Sequence, residues 1–330
     1  MPYLFIFSID FYHAFFYFVL YSFLGWCVEV LYSFKLKGEF VNRGFLNGPF
    51  CPVYGFGAIS IITLAKPFEN NIIFLILSCL FFPSFIEYIT GFILEKLFNT
   101  TWWDYSGTKF NLKGRICLKF STIWFLVSLL ILIFIHPYLI EPIINAIPLN
   151  YGITIMYILM GYFIIDLYIT IISLIKLKEL FVELYHISLE LRSKLNTIKQ
   201  IGDSIKPIAV SAAPRNIKNK VTDVFENTTK NLSNKLDNIN YKIDNTTNNL
   251  VFKISSKLPK EEKDIIYTLN KKIKELKNTY EGILDKIAYN HSRIFKAYPN
   301  LKSKYGSKTL IDIQRKITLI NLKAKKKFKH

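Results

Sequence analysis

Apolar positions in the first half of the chain come in long blocks rather than in stripes. Phe11 to Phe34, Asn71 to Leu94, Ile116 to Ile140 and Tyr151 to Ile175 each reach the roughly 20 mostly apolar residues that a helix needs to cross a bilayer at about 1.5 Å per residue. A fifth block, Phe45 to Ala65, is interrupted. It reads FLNGPFCPVYGFGAISIITLA and places Gly48, Pro49, Pro52, Gly55 and Gly57 in its first part, so it is either a span with an irregular start or a re-entrant loop. After Lys176 the pattern changes. Leu177, Leu180, Leu184, Ile187, Leu191, Leu195 and Ile198 recur at steps of three and four, the signature of an amphipathic helix. Gly202 to Pro214 reads as a break, with Pro207 inside it. A second such repeat runs Val221, Phe225, Thr228, Leu232, Leu236, Ile239, Ile243, Thr246, Leu250 and suits a coiled-coil seam, although the ten Asn between 216 and 249 are mediocre helix formers. Pro259 followed by Glu261, Glu262 and Asp264 marks a helix start, feeding Ile265, Leu269, Ile273, Leu276, Tyr280, Ile283 and Ile287, and a last amphipathic stretch begins at Leu310. The predicted fold is all-α. Residues 1–176 form a five-span transmembrane helical bundle (about 11–34, 45–65, 71–94, 116–140 and 151–175), and 177–330 form a coiled-coil-like helical tail with a linker near 202–214.

Charge divides the chain at the same place. Residues 1–176 carry ten Lys/Arg against nine Asp/Glu, and 177–330 carry thirty-two against fifteen, so the net charges are +1 and +17. With 51% hydrophobic residues overall, this excludes a single soluble globule. Four cysteines exclude a disulfide scaffold. Loop cations then set the topology, because cytoplasmic loops near spans collect Lys and Arg. With five crossings, Lys35, Lys37, Arg43, Lys96, Lys109, Lys113, Arg115 and Lys119 share one side with the tail, while the other side holds Lys66 alone. A re-entrant second block would instead put the 96–119 cations outside. The expectation is therefore N-terminus out and C-terminus in. The first ten residues, MPYLFIFSID, have no basic n-region, so the first helix reads as a retained span rather than a secretory signal.

The motifs concentrate between the first and fourth spans. Gly25-Trp26-Cys27-Val28-Glu29 is followed by NRGFLNGPFCPVYGFG from Asn42 to Gly57, then by Glu87-Tyr88-Ile89-Thr90, by Trp102-Trp103-Asp104-Tyr105-Ser106 and by Asn111-Leu112-Lys113-Gly114-Arg115-Ile116-Cys117. In order and spacing they resemble the CmpB-like family of bacterial membrane proteins, type IV ABC-transporter permeases by label, over roughly residues 10–140. The resemblance implies a multi-pass protein of the bacterial cytoplasmic membrane that serves as a transport component. It names no substrate.

An acid inside a span costs about 2.5–3.5 kcal/mol at the bilayer centre on insertion scales, so it faces the bundle interior, a wet cavity or a partner. Glu29 lies in the inner half of the first span and Glu87 deeper in the third, while Arg43 and Arg115 stand at the ends of neighbouring spans as pairing candidates. Together with Asn42, Asn47, Asp104, Tyr105 and Asn111 they form a candidate polar cluster that either lines a substrate site or fixes helix register. Asp166 is a third intramembrane acid, without an evident partner in the sequence. Gly48, Pro49, Pro52, Gly55 and Gly57 are broken-helix candidates: freed backbone groups line the substrate sites of many transporters, and a short helix with a tight turn packed on its neighbours is the other reading. Trp102 and Trp103 suit headgroup-level anchors.

Catalytic and metal signals are weak. The cysteines form no C-x-x-C pair, the five histidines show no metal or triad spacing, and no G-x-x-x-x-G-K-[ST] loop is present. The chain reads as a non-enzyme without metal or cofactor, and ATP hydrolysis would fall to a separate ATPase subunit. The tail ends in Lys323, Lys325, Lys326, Lys327 and Lys329, which face either solvent or the nearest polyanion, anionic membrane lipid at about 1 kcal/mol per cation close to it. No recognition fold for nucleic acid is evident. A homo-oligomer is compatible with the pattern. The alternative function is a non-transport scaffold or sensor whose coiled tail binds a protein partner or anionic lipid.

Overall fold

The computed structural model describes residues 5–6, 9–211, 260–303 and 310–318. The expected seam at 221–250 and the Lys cluster at 323–329 lie outside these residues. The chain separates into two compact units. One comprises Met1–Lys178 with His291–Ser307, and the other Glu179–Asn290 with Lys308–His330.

The first unit is built on long apolar helices. Helix α1 (Phe11–Lys37) starts where the Asp10 carboxylate accepts from the His13 N–H, and it stops at Gly38, which adopts φ +67° and donates to the Phe34 carbonyl. Glycine suits that stop because the left-handed region costs it nothing. Helix α3 (Ile72–Phe98) is capped by Asn71 and ends at Asn99 in the left-handed conformation. It carries Pro83 in its interior, which removes the donor for the carbonyl four residues earlier. That carbonyl, of Cys79, lies 3.4 Å from the Ser128 hydroxyl, whose shorter contact, at 2.7 Å, is to the Trp124 carbonyl. Helix α4 (Leu118–Leu130) continues as a π-helical stretch, Ile131–Ile140, which contains Pro137, and then as α5 (Glu141–Asn145).

Among the described residues, four helices are long and apolar enough to cross a membrane: Phe11–Lys37, Ile72–Phe98, Leu118–Asn145 and Leu149–Ile201. The Phe45–Ala65 block, expected as a further span, is not among them. Its helix α2 covers only Pro52–Ser60 and runs on as a π turn, Ile61–Ala65. Residues 40–51 are non-helical. Pro49 and Pro52 donate no hydrogen bond, and each biases the residue before it away from helix. Pro52 then occupies the first turn of α2, where a missing donor is harmless.

The partners of each helix show its direction. The Cys51 N–H donates to the Ser22 carbonyl in the middle of α1 at 2.9 Å, so α2 begins beside the midpoint of α1. His13 at the start of α1 meets Asn145 at the end of α5, 3.3 Å away. Phe18 of α1 packs on Phe163 of α6, with ring centroids 5.5 Å apart. One core joins Tyr12, Phe16, Tyr17 and Tyr21 of α1 to Ala58, Ile62, Ile131, Ile140, Ile144 and Met156. Many side chains on the same helices point outward uncovered, among them Ile72, Ile73, Leu126, Ile164 and Ile165. Helices that are apolar all round suit lipid.

Helix α6 (Leu149–Ser211) is continuous. The break expected at 202–214 is therefore absent over 202–211, where the helix accommodates Pro207, and 212–214 lie outside the described residues. The second unit takes the later part of α6 together with α7 (Lys260–Asn290) and helical residues 310–318. Leu184, Ile187, Leu191, Leu195 and Ile198 are buried along α6, as are Ile273, Leu276, Tyr280, Ile283 and Ile287 along α7. The α7 face opens with Ile266 rather than Ile265, which is exposed. The Tyr280 hydroxyl donates to Asp312 at 3.0 Å, and Lys316 pairs with Asp285 at 2.9 Å.

Candidate functional site

The non-helical stretch 40–51 presents backbone groups that no helix satisfies, and buried groups of that kind need partners. They find them on two elements of the bundle. On α6, the Asp166 carboxylate accepts from the N–H of Asn47 at 3.0 Å and of Gly48 at 2.8 Å, and the Asn47 side-chain amide donates to the Thr170 hydroxyl at 3.1 Å. A Cβ at Gly48 would overlap the Tyr162 hydroxyl, so a larger residue here would have to displace the Tyr162 side chain. On α1, the Trp26 indole donates to the Asn42 side-chain oxygen at 2.8 Å. That oxygen also accepts from the Gly44 N–H, while the Asn42 amide donates to the Asn47 carbonyl. Asn42 therefore braces the loop from inside.

Glu29 stands next to this brace. One of its oxygens accepts from the Tyr54 hydroxyl at 2.7 Å and the other meets Arg43 at 3.1 Å. The Tyr54 ring lies 5.3 Å from the Trp124 ring, whose indole donates to Glu87 at 3.0 Å. The Tyr105 hydroxyl donates to the other Glu87 oxygen at 3.1 Å. A continuous set of side chains thus links Arg43, Glu29, Tyr54, Trp124, Glu87 and Tyr105 across α1, α2, α3 and α4. Burial and the adjacent Glu87 push the Tyr105 phenol up from its ordinary value, so it stays a neutral donor.

The Arg115 expectation is corrected. Its guanidinium forks onto Glu95 at 2.7 and 3.1 Å, contacts the Tyr88 hydroxyl and lies over the Phe92 ring. Glu87 has two neutral donors instead of the cation expected for it. Asp104 and Asn111 shape the connection between α3 and α4. Asp104 accepts from the N–H and hydroxyl of Ser106 and pairs with Lys302; these contacts hold its carboxyl below the usual range. Asn111 opens strand β1 (Asn111–Leu112), which pairs antiparallel with β2 (Ile116–Cys117). Its amide donates to the Thr108 carbonyl and its oxygen accepts from the Gly114 N–H. Lys113 and Gly114 both take positive φ, +52° and +69°, as a tight hairpin turn requires.

Of the broken-helix candidates, Gly48 and Gly55 are close-approach positions. A Cβ at Gly55 would overlap Ser22 and the Phe18 carbonyl, whereas Gly57 has open space around it. Trp102 is buried, packing edge-on against Phe45 at 5.9 Å and Tyr298 at 4.8 Å, so it is not a headgroup anchor. The Trp103 indole donates to the Arg115 carbonyl.

Several residues here escaped the sequence reading. Asp166 stood out as an intramembrane acid, but its partners are backbone groups more than a hundred positions away. Trp26, Tyr54 and Trp124 resemble the many other aromatics of the spans. Arg293 donates to the carbonyls of Gly44 and Leu46 at 2.8 and 3.1 Å, and Tyr298 to that of Arg43 at 3.2 Å. Both come from the tail, where nothing marks them among the other cations and tyrosines. Among the described residues no group of His, Cys, Asp and Glu is arranged to hold a metal ion.

No curated protein and no solved structure matches the chain. A family match does exist, and it reaches past the motifs to include Asp166 and Thr170. Residues 16–171 match the family described as "Putative ABC-transporter type IV".

Proposed function

We propose that this protein is the membrane-spanning component of a transport system of the bacterial cytoplasmic membrane, working with a separate ATPase subunit. The chain crosses five times, N-terminus outside and C-terminus in the cytoplasm. Its second crossing is made half by the loop 40–51 and half by α2. The observation that carries this reading is the loop itself, held at the level of the inner half of α1 by Asp166, Asn42 and Trp26. Non-helical backbone at membrane depth is tolerated where protein buries it or where it lines a cavity, and transporters place substrate and ion sites at such breaks. Glu29, Asn42, Arg43, Asn47, Glu87 and Tyr105 then line the route, and the chain supplies passage rather than hydrolysis.

The test is purification of the tagged full-length protein from its native membranes in mild detergent. A P-loop ATPase subunit should co-purify and hydrolyse ATP. Glu29→Gln and Glu87→Gln should keep that partner while altering substrate-stimulated hydrolysis. Native membranes that yield no ATPase partner would refute the proposal. A second reading, a scaffold whose helical tail binds a protein partner, draws support from Tyr267 and Tyr289 of α7, which stay exposed. A co-purifying cytosolic protein without an ATPase would favour it.

A further inference from the structure

The family match ends at residue 171, yet a segment far beyond it is packed into the same unit. His291–Ser307 belongs to the membrane unit, while the chain on both sides of it, Glu179–Asn290 and Lys308–His330, belongs to the other. Its contacts converge on the motif residues. Short helix α8 (Ser292–Ala297) ends in carbonyls that no helical turn satisfies. Lys37 donates to that of Lys296 at 2.8 Å and Arg43 to that of Ala297 at 3.1 Å. In return, Arg293 satisfies the Gly44 and Leu46 carbonyls of the loop, and Tyr298 that of Arg43. Burial draws the Arg293 guanidinium down from its ordinary value, and the two carbonyls that accept from it offset part of that cost. Beyond α8, the strand Lys302–Ser303 pairs antiparallel with the strand Thr100–Thr101, and Lys302 reaches Asp104.

We propose that His291–Ser303 is an intramolecular latch: a tethered peptide that occupies a docking surface made by Lys37, Arg43, the Gly44 and Leu46 carbonyls, Trp102 and Asp104, and so closes the loop site beneath it. The surface is built for a peptide. It offers cations to a helix C-terminus, carbonyls to an arginine, an aromatic face to a tyrosine and a strand edge to an extended tail, and the segment also buries Ile294, Phe295, Ala297 and Leu301.

Cys51 reports on the latch. It is buried, and its thiol approaches the Arg43 carbonyl that also takes the Tyr298 hydroxyl. Cys79, fully buried in a separate core with Ile61 and Ala65, reports on the rest of the unit. The full-length protein in detergent is treated with N-ethylmaleimide, and labelling of each cysteine is followed by peptide mass mapping. Arg293→Ala combined with Tyr298→Ala should speed labelling of Cys51 by about tenfold or more, since local opening follows the contacts that resist it, and leave Cys79 unchanged. Thr101→Cys with Lys302→Cys, opposite one another in the strand pair, should on oxidation slow Cys51 below its rate in the reduced form. Labelling of Cys51 that ignores the crosslink would overturn the latch. So would a double variant that exposes Cys51 and Cys79 alike, because the segment would then be an inseparable part of the core.

Discussion

Asp166 shows at the residue scale why an acid can persist inside an apolar helix. Only 6% exposed, its carboxyl group would be costly in lipid, and it offsets that cost by accepting from two backbone N–H groups of the loop. The exchange is mutual, since each of those N–H groups would otherwise be a buried, unsatisfied donor at about 1–3 kcal/mol. Asp166→Ala should therefore lower stability by about that much for each stranded donor. Asp166→Asn, which keeps one carbonyl oxygen, should lose less. Thermal unfolding in detergent reads both, and an unchanged midpoint for Asp166→Ala would remove the carboxylate from the account of the loop. Glu87 follows the same logic with side-chain donors, Tyr105 and Trp124. The sequence marks all three intramembrane acids by their rarity. It offers Arg43 and Arg115 as partners, of which the geometry joins Arg43 to Glu29, but it cannot assign neutral donors to the other two, because indoles, phenols and backbone amides occur throughout the spans.

At the scale of elements, the half-length helix α2 is the departure from expectation. A block of 21 residues from Phe45 to Ala65 has the composition of a span, but composition counts residues and not their conformation. The two prolines and the satisfied loop divide it, and only Pro52–Ala65 is helical. The glycines of α2 serve different purposes. Gly55 sits where a Cβ would overlap the Phe18 carbonyl of α1, and Gly57 faces open space. A glycine inside a helix costs about 1 kcal/mol relative to alanine. Gly57→Ala should thus be neutral or stabilising by up to that amount, and Gly55→Ala should be destabilising because a backbone atom cannot swing aside. Melting curves of the two variants in one detergent compare them directly, and equal effects would show that α1 and α2 are not in tight contact. Proline behaves differently in α3, where Pro83 lies inside the helix and does not end it.

On the scale of the whole molecule, the membrane unit is assembled from two distant parts of the chain, 1–178 and 291–307. The proposed topology makes a prediction here. Single cysteines at Glu39 and Gly107 should resist a membrane-impermeant reagent applied to intact cells, and one at Ala146 should react. External labelling at 107 would place the α3–α4 connection outside and reverse the charge argument.

The sequence by itself determined that residues 1–176 supply helices for a membrane, that the later residues carry the cationic surplus, and that the motif residues lie near one another along the chain. Each follows from local quantities: hydropathy summed over a window, charge counted in a loop, and the spacing of residues within a motif. Only the tertiary structure decided that the interrupted block is half loop and half helix, that Asp166 holds that loop, that Arg115 serves Glu95 and not Glu87, and that Arg293 and Tyr298 cover the loop from beyond the family domain. The physical reason is the same in each case. A buried polar group must be satisfied by whatever donor or acceptor the fold brings within hydrogen-bonding distance, and for these residues that partner is set by packing between elements far apart in sequence, which no local pattern records.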